Sequence, residues 1–291
     1  MTEDRKPADD RPLTGQKVLV TRPRSQAEEL SVRLRALGAT VAETPVIRID
    51  DPPDPAPLRE AARRLSEYDW VILTSVNGVW KLRDALEAEG LGTSPLRDAR
   101  IAAIGPATSR ALESLGCVPA LVPDEFRAEA LADAIQAAAT RAREERRAAH
   151  RSGAPPSAPM RGQRALLPRA AVARDVLPER LRAAGAEVVE VPAYVTVVER
   201  KSRDPLRRLL SESAVDWITF TSSSTVQAFV ELSGTDVGAA RVAVIGPIAA
   251  ATARSLGLTV DVVAAEFTVP GLVEALVSRV ESAVGTGGAR S

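Results

Sequence analysis

Short apolar runs alternate with amphipathic stretches along this chain. "KVLVT" (17–21), "WVILT" (70–74) and "RIAAI" (100–104) are continuous runs of strand length, and between them apolar residues recur at helical spacing. Ala27, Leu30, Leu34 and Leu37 mark one face of a helix over Ser25–Leu37, which Gly38 ends. "TVAETPVI" (40–47) resumes as strand, helices are expected from about Asn77, Ala107 and Ala128, and "PALV" (119–122) gives a short further strand. A strand without polar alternation is buried on both faces, and a parallel sheet covered by helices on each side is the arrangement that needs such strands. The pattern predicts an α/β protein with doubly wound parallel sheets.

Comparison of the chain with itself gives the number of domains. "LRALGATVAETPVIRI" (34–49) matches "LRAAGAEVVEVPAYVTV" (181–197), and "YDWVILTSVNGV" (68–79) matches "VDWITFTSSSTV" (215–226), at one constant offset. Further on, "RIAAIGPATSRALESLGC" (100–117) matches "RVAVIGPIAAATARSLGL" (241–258) at a slightly shorter offset, which also pairs Phe126 with Phe267. The period far exceeds the roughly 20 to 50 residues of stacked repeats, so this reads as an internal duplication and not a solenoid. Between the copies, "AATRAREERRAAHRSGAPPSAPMRGQ" (138–163) reads as a solvated helix running into a flexible Pro/Ser/Gly-rich loop. Glu144, Glu145 and the lack of interleaved aromatics argue against a nucleic-acid patch there. Residues 1–14 and 284–291 are expected to be disordered.

Composition narrows the chemistry. The 291 residues are 45% hydrophobic and 26% charged, with 38 Lys plus Arg against 38 Asp plus Glu, so a charged ligand must be handled locally and no global field invites nucleic acid. One cysteine, Cys117, makes no internal disulfide; the N-terminal "MTEDRKPADD" lacks an apolar signal region, and a cytoplasmic location without membrane contact is expected. The sole histidine, His150, denies the chain both a Ser-His-Asp triad and the usual His/Cys zinc set, so no metal site of that kind is expected. Catalysis here must work without imidazole.

In open parallel sheets ligands bind outside the carboxyl ends of the strands, where helix N-termini direct free N–H groups. The junctions to examine are "VTRPRS" (20–25), "LTSVNG" (73–78), "IGPATS" (104–109), "LPRAA" (167–171), "FTSSST" (220–225) and "IGPIAA" (245–250). Each also has a plain structural reading. Ser75, Ser222 and Ser223 are good N-cap residues, each worth about 1 kcal/mol in that role. Pro106 and Pro247 suit a first helical turn, where no N–H is missed. Tyr194, at the end of a strand run, reads equally as half-buried packing. Duplication of both Thr-Ser and Ile-Gly-Pro favours a ligand-lining role.

The ordered set "VLVTRP", "PVIRI", "WVILTSVNGV", "IAAIGPAT", "LLPRA", "VPAYVTV", "ITFTSSSTV" and "VAVIGPIAAATARSLGL" resembles the uroporphyrinogen-III synthase family over nearly all of residues 16–280 except the central linker. The resemblance implies two flavodoxin-like lobes joined by a two-stranded ribbon. One lobe would hold residues 1–46 with 199–291, the other 47–198 with a flexible insertion at about 141–162; the repeat alone would divide the chain near 150. It further implies a cofactor-free, monomeric lyase acting on linear hydroxymethylbilane, an octacarboxylate. The family closes this chain with inversion of the last pyrrole ring and loss of water, through an azafulvene-type cation and a spiro intermediate, to give uroporphyrinogen III.

By motif, Tyr194 matches the family's tyrosine, a candidate proton donor to the departing hydroxyl, and Thr108 matches a threonine with a positioning role. Ser75, Ser222, Ser223 and the backbone around Gly105, Gly246 and Pro247 would receive carboxylates, with Arg22 and Arg169 as ion partners. Two positions depart from the family pattern: Ala249 stands where many members carry threonine, and Ala170 where glycine often follows Pro-Arg. A threonine at 249 is expected to be tolerated if that position faces the ligand. The competing reading is a non-catalytic tetrapyrrole or carboxylate-metabolite sensor; a periplasmic solute binder would need an export signal.

Overall fold

The computed structural model describes residues 11–150, 158–212 and 214–287. In chain order the elements are β1 (Lys17–Val20), α1 (Arg24–Ala36), β2 (Thr40–Glu43), β3 (Ile47–Asp50), α2 (Ala56–Arg63), β4 (Trp70–Leu73) and α3 (Val76–Ala88). Then come α4 (Ser94–Asp98), β5 (Ile101–Ala103), α5 (Pro106–Glu113), α6 (Ala128–His150), β6 (Arg164–Ala170), α7 (Val176–Ala183) and β7 (Glu187–Val198). The chain closes with α8 (Arg203–Ser211), β8 (Trp217–Phe220), α9 (Ser223–Ser233), β9 (Arg241–Val244), α10 (Pro247–Ser255), β10 (Val262–Val263) and α11 (Val269–Gly287).

These elements form two compact units: one runs up to Arg48 and resumes at Thr196, the other is Ile49–Val195. The chain therefore does not divide near 150, because β6 and β7 complete the sheet begun by β4 and β5. Each unit holds a five-stranded sheet, β10-β9-β8-β1-β2 in the first and β3-β7-β6-β4-β5 in the second. The pairs β1–β2, β1–β8, β8–β9 and β9–β10 are parallel, as are β4–β5, β4–β6 and β6–β7. Read from β2, the first sheet has the order 2-1-3-4-5 of a doubly wound sheet.

Both faces of each sheet are covered, which is why the central strands carry no polar alternation. In the first unit, Val18, Val20 and Trp217 pack with α1 and α11 on one face, while Leu19, Ile218 and Phe220 pack with α8, α9 and α10 on the other. In the second, Trp70, Ile72 and Ala165 meet α6 and α7, while Val71, Leu73 and Leu166 meet α2, α3 and α5. Gly38 and Gly185 stop α1 and α7 in the same way. Each sits at positive φ, +95° and +91°, and each helix closes through paired bonds, Gly38 N–H to Arg35 with Ala39 N–H to Leu34, and Gly185 N–H to Arg182 with Ala186 N–H to Leu181.

At the amino ends of the strands the two units repeat one clasp. In the first, the Asp216 carboxylate accepts the Lys17 N–H at 2.7 Å and the Trp217 indole donates to Gln16 Oε1 at 3.0 Å. In the second, Asp69 accepts the Arg164 N–H at 2.8 Å and Trp70 donates to Gln163 Oε1 at 3.1 Å. A guanidinium lies over each indole, Arg241 over Trp217 and Arg100 over Trp70.

Several expectations fail locally. "TVAETPVI" is two strands, because Pro45 has no N–H to continue a ladder and the chain breaks between β2 and β3. "PALV" forms only a single bridge, Leu121 to Ala102. Residues 11–14 are ordered: Leu13 is fully buried and its N–H reaches the Leu37 carbonyl, closing the end of α1. Residues 284–287 belong to α11. The helix expected at the start of the central linker is present as the end of α6, which runs to His150, and Arg143 donates to the Ala158 carbonyl at 2.8 Å. Residues 1–10, 151–157 and 288–291, the remainder of the segments expected to be disordered or flexible, lie outside the described residues.

Candidate functional site

In a doubly wound sheet the crevice opens where two neighbouring strands send their connections to opposite faces. In the first unit that point lies between β1, followed by α1, and β8, followed by α9. Thr21 joins the two strands there, its hydroxyl donating to the Thr219 carbonyl at 2.7 Å. Arg22 follows. Its Nε and Nη1 are buried without a hydrogen-bond partner, and its Nη2 lies 3.4 Å from Gln26 Oε1. Burial pushes its pKa down, with Glu29 acting in the opposite sense.

Ser222 caps α9 through a reciprocal box in which its hydroxyl accepts the Thr225 N–H and the Thr225 hydroxyl accepts the Ser222 N–H, both at 3.2 Å. Ser223 lies 2.8 Å from Thr252 Oγ1, which donates to the Ile248 carbonyl, so Ser223 is the donor of that link between α9 and α10. Both serines expected to receive carboxylates thus have hydroxyls engaged within the protein.

The corresponding divergence in the second unit lies between β6, followed by α7, and β4, followed by α3. Ser75 caps α3, accepting the Gly78 N–H at 3.0 Å. A side chain at 78 would stand 3.2 Å from the Pro168 carbonyl, so glycine lets this helix start press against β6. Ser75 Oγ also lies 3.0 Å from the Tyr194 hydroxyl. Tyr194 reaches that point through a β-bulge: Arg169 pairs with Pro192 but Ala170 pairs with Tyr194, leaving Ala193 as the extra residue. The bulge turns Ala193 and Tyr194 both into the core cluster, with Tyr194 8% exposed. Ala170, the departure after Pro-Arg, is the bulge's partner.

Arg169 is buried, and its guanidinium bonds Glu190, lies 3.2 Å from Asp175 and donates to the Arg174 carbonyl at 2.8 Å. A ligand carboxylate would have to displace these partners. Gly105 and Gly246 precede α5 and α10 in extended backbone, so no φ demands glycine. The demand is steric: a Cβ would lie 3.1 Å from the Phe126 ring at Gly105 and 3.0 Å from the Phe267 ring at Gly246. Neither glycine caps its helix by a side chain, and Pro106 and Pro247 occupy the first turns, so the next amides of α5 and α10 keep their N–H groups free of a side-chain cap.

Thr108, in the first turn of α5, is 3% exposed, and Ala249, its counterpart in α10, is 4% exposed within the Phe220 and Phe229 core. Ala249 is thus buried core, so the condition attached to a threonine there, that the position face the ligand, is not met. Sequence reasoning singled out Ser75 and Tyr194 separately but not their hydrogen bond, because a bulge leaves no mark in apolar periodicity. It paired Phe126 with Phe267 without assigning a role; the glycines that match at the same offset were the usable signal. Among the described residues no group of His, Cys, Asp and Glu could hold a metal ion, and no helix is long and apolar enough to cross a membrane.

Two parallel-rich five-stranded sheets, each with hydroxyls and helix starts gathered at its strand ends, define an α/β protein of the doubly wound class. The family model for uroporphyrinogen-III synthase HemD matches residues 28–274. The uroporphyrinogen-III synthase of Synechococcus elongatus is 33% identical over 92% of this chain and 96% of its own, and a putative uroporphyrinogen-III synthase of Methanothermobacter thermautotrophicus is 29% identical over 88% and 96%. Among solved structures, a mutant uroporphyrinogen III synthase of Thermus thermophilus shares the fold at a TM-score of 0.60 and 19% identity, covering 92% of this chain and 99% of that one. The Helicobacter pylori uroporphyrinogen-III synthetase does so at 0.57 and 14% identity, covering 91% and 99%. The chain belongs to the uroporphyrinogen-III synthase family, lyases of porphyrin and tetrapyrrole biosynthesis.

Proposed function

We propose that the chain takes hydroxymethylbilane and closes it, with inversion of the last ring and loss of water, using Tyr194 as the proton donor to the departing hydroxyl. The observation that carries this is the Tyr194 hydroxyl held 3.0 Å from the capping serine of α3, at the strand ends of a parallel sheet. Protonation of the hydroxyl breaks the C–O bond, water leaves, and an azafulvene-type cation remains. The substituted carbon of the last pyrrole attacks that cation, the spiro intermediate fragments at its older bond to release a second azafulvene-type cation, and the unsubstituted α-carbon of the same pyrrole attacks this cation and loses its proton. Since the linear chain also closes unaided without inversion, the protein's main contribution is to hold one conformer and exclude the simpler closure.

Substrate carboxylates are taken by local donors, in keeping with a net charge of zero. Arg22 is the strongest candidate, a partly buried guanidinium whose Nε and Nη1 have no partner. The uncapped starts of α5 and α10, after Gly105 and Gly246, offer backbone N–H groups, and the N-terminal turns capped by Ser75 and Ser222 add their dipoles. Ser223 and Arg169 are engaged elsewhere, Ser223 linking α9 to α10 and Arg169 holding the turn before α7. Thr108, being buried, positions the first turn of α5. Ile248 and Phe267, each about half exposed, supply apolar faces suited to pyrrole rings. We read the matched offsets as an internal duplication, supported by the repeated clasp, and β3 and β7, adjacent strands within which the chain passes from one unit to the other, as the connecting ribbon.

The test incubates purified protein with freshly generated hydroxymethylbilane and resolves the type III from the type I product. Type III is expected to dominate. If only type I accumulates, at the rate seen without protein, the reading fails.

A further inference from the structure

We propose that Ser75 is a positioning residue that sets the direction of the Tyr194 proton. The proposal rests on the reading of Tyr194 as proton donor and adds the group that makes it one. A serine hydroxyl has one proton and two acceptor sites. One acceptor site of Ser75 is taken by the Gly78 N–H at 3.0 Å, a bond fixed by the start of α3. The Tyr194 oxygen, 3.0 Å away, meets what is left. Two arrangements are then open. If Tyr194 donates to Ser75, its proton is turned into the protein and is lost to the substrate. If Ser75 donates to Tyr194, the tyrosine proton is released toward the strand ends, and the Ser75 O–H remains to stabilise the phenolate left after transfer.

The second arrangement is the one the helix favours. Ser75 stands at the positive end of α3, with the Gly78 N–H polarising its oxygen, which makes its own O–H the better donor of the pair. The bond from Ser75 to Tyr194 gains strength as negative charge develops on the tyrosine oxygen, the condition for an interaction felt more in the transition state than in the bound substrate. Neither partner can drift. The bulge at Ala170 and Tyr194 and the surrounding core fix the ring, and the close approach of Gly78 to the Pro168 carbonyl fixes the helix start. The cap and the acid are therefore one unit.

A cap mutation alone confuses helix stability with catalysis, so the test uses two truncations, one restoration and a double-mutant cycle. Ser75→Ala removes hydroxyl and cap; Ser75→Gly removes the hydroxyl while keeping a residue nearly as good at an N-cap. Ser75→Thr restores the hydroxyl. Each is made alone and with Tyr194→Phe, and kcat, KM and the type III to type I ratio are measured on hydroxymethylbilane, with melting temperature as the folding control. Ser75→Ala and Ser75→Gly are both expected to lower kcat about tenfold, the worth of one hydrogen bond felt in the transition state, with KM unchanged. Ser75→Thr is expected to keep kcat within about twofold, and neither truncation is expected to lower kcat further when Tyr194→Phe is present.

If the truncations lower kcat by the same factor in the Tyr194→Phe background, or raise KM alone, Ser75 acts as a cap or a carboxylate ligand and the proposal is overturned while Tyr194 keeps its role. If Tyr194→Phe by itself leaves kcat unchanged, the donor reading falls and this proposal with it.

Discussion

Arg22→Met should make the substrate-free protein more stable and a poorer enzyme. The Arg22 Nε and Nη1 are buried and unpartnered, Nη2 reaches Gln26 at 3.4 Å, and burial already presses the guanidinium pKa down. A buried donor left unsatisfied costs about 1–3 kcal/mol, and more when charged. Methionine keeps much of the apolar stem and removes the donors, so the expected gain is about 1–3 kcal/mol. At about 2–4 °C per kcal/mol for a chain of this size, the melting temperature should rise by about 2–12 °C. Calorimetry without substrate reads the first effect, and the KM for hydroxymethylbilane, expected to rise at least about tenfold through loss of a charge-assisted fork, reads the second. Arg22→Lys should recover neither, since a point charge supplies no fork and is still buried. A lower melting temperature with an unchanged KM would refute the reasoning, because Arg22 would then be bracing the fold instead of waiting for an anion.

Three further outcomes are expected. Gly105→Ala sets a Cβ 3.1 Å from the Phe126 ring and should cost about 1 kcal/mol in urea unfolding; Phe126→Leu in the same chain should recover most of it, and no recovery would mean the ring is not the obstacle. Asp216→Ala and Asp69→Ala each strip the acceptor from a backbone N–H at the strand start and should destabilise by a similar amount, about 1 kcal/mol; clearly unequal losses by calorimetry would break the equivalence of the two clasps. The Glu67 pKa is pushed down to about 2, chiefly by its hydrogen bond to Arg64 and further by Arg164. Its contribution is therefore present above the ordinary carboxylate range and lost as pH falls toward 2. Glu67→Gln should flatten the fall in melting temperature between about pH 6 and pH 3, and an unchanged slope would show that solvent screening leaves this exposed pair without effect.

The class of fold was legible because its physical cause is in the chain: Val71, Ile72 and Leu73 are all buried, and only a sheet covered on both faces makes three successive apolar residues necessary. Ser75 and Tyr194 could be singled out, the first as a cap and the second by resemblance, yet the contact between them depends on a bulge that shifts register by one residue. Periodicity carries no trace of that shift. Gly246 was given to ligand access, whereas the Phe267 ring explains why the position excludes a side chain. Leu13 shows the opposite error, since a polar, proline-containing terminus reads as disorder until the end of α1 supplies a partner for its backbone.

The clasp between Lys17 and Asp216 ties residues 199 positions apart. A ribosome releases Ile49–Val195, a unit with its own sheet, before any partner for β1 other than β2 exists. At roughly 5–20 residues per second, β1 waits about 10–40 s for β8 to be made. The first strand synthesised is thus among the last to be enclosed, and through that interval an apolar Val-Leu-Val edge stands open to a chaperone or to a neighbouring nascent chain.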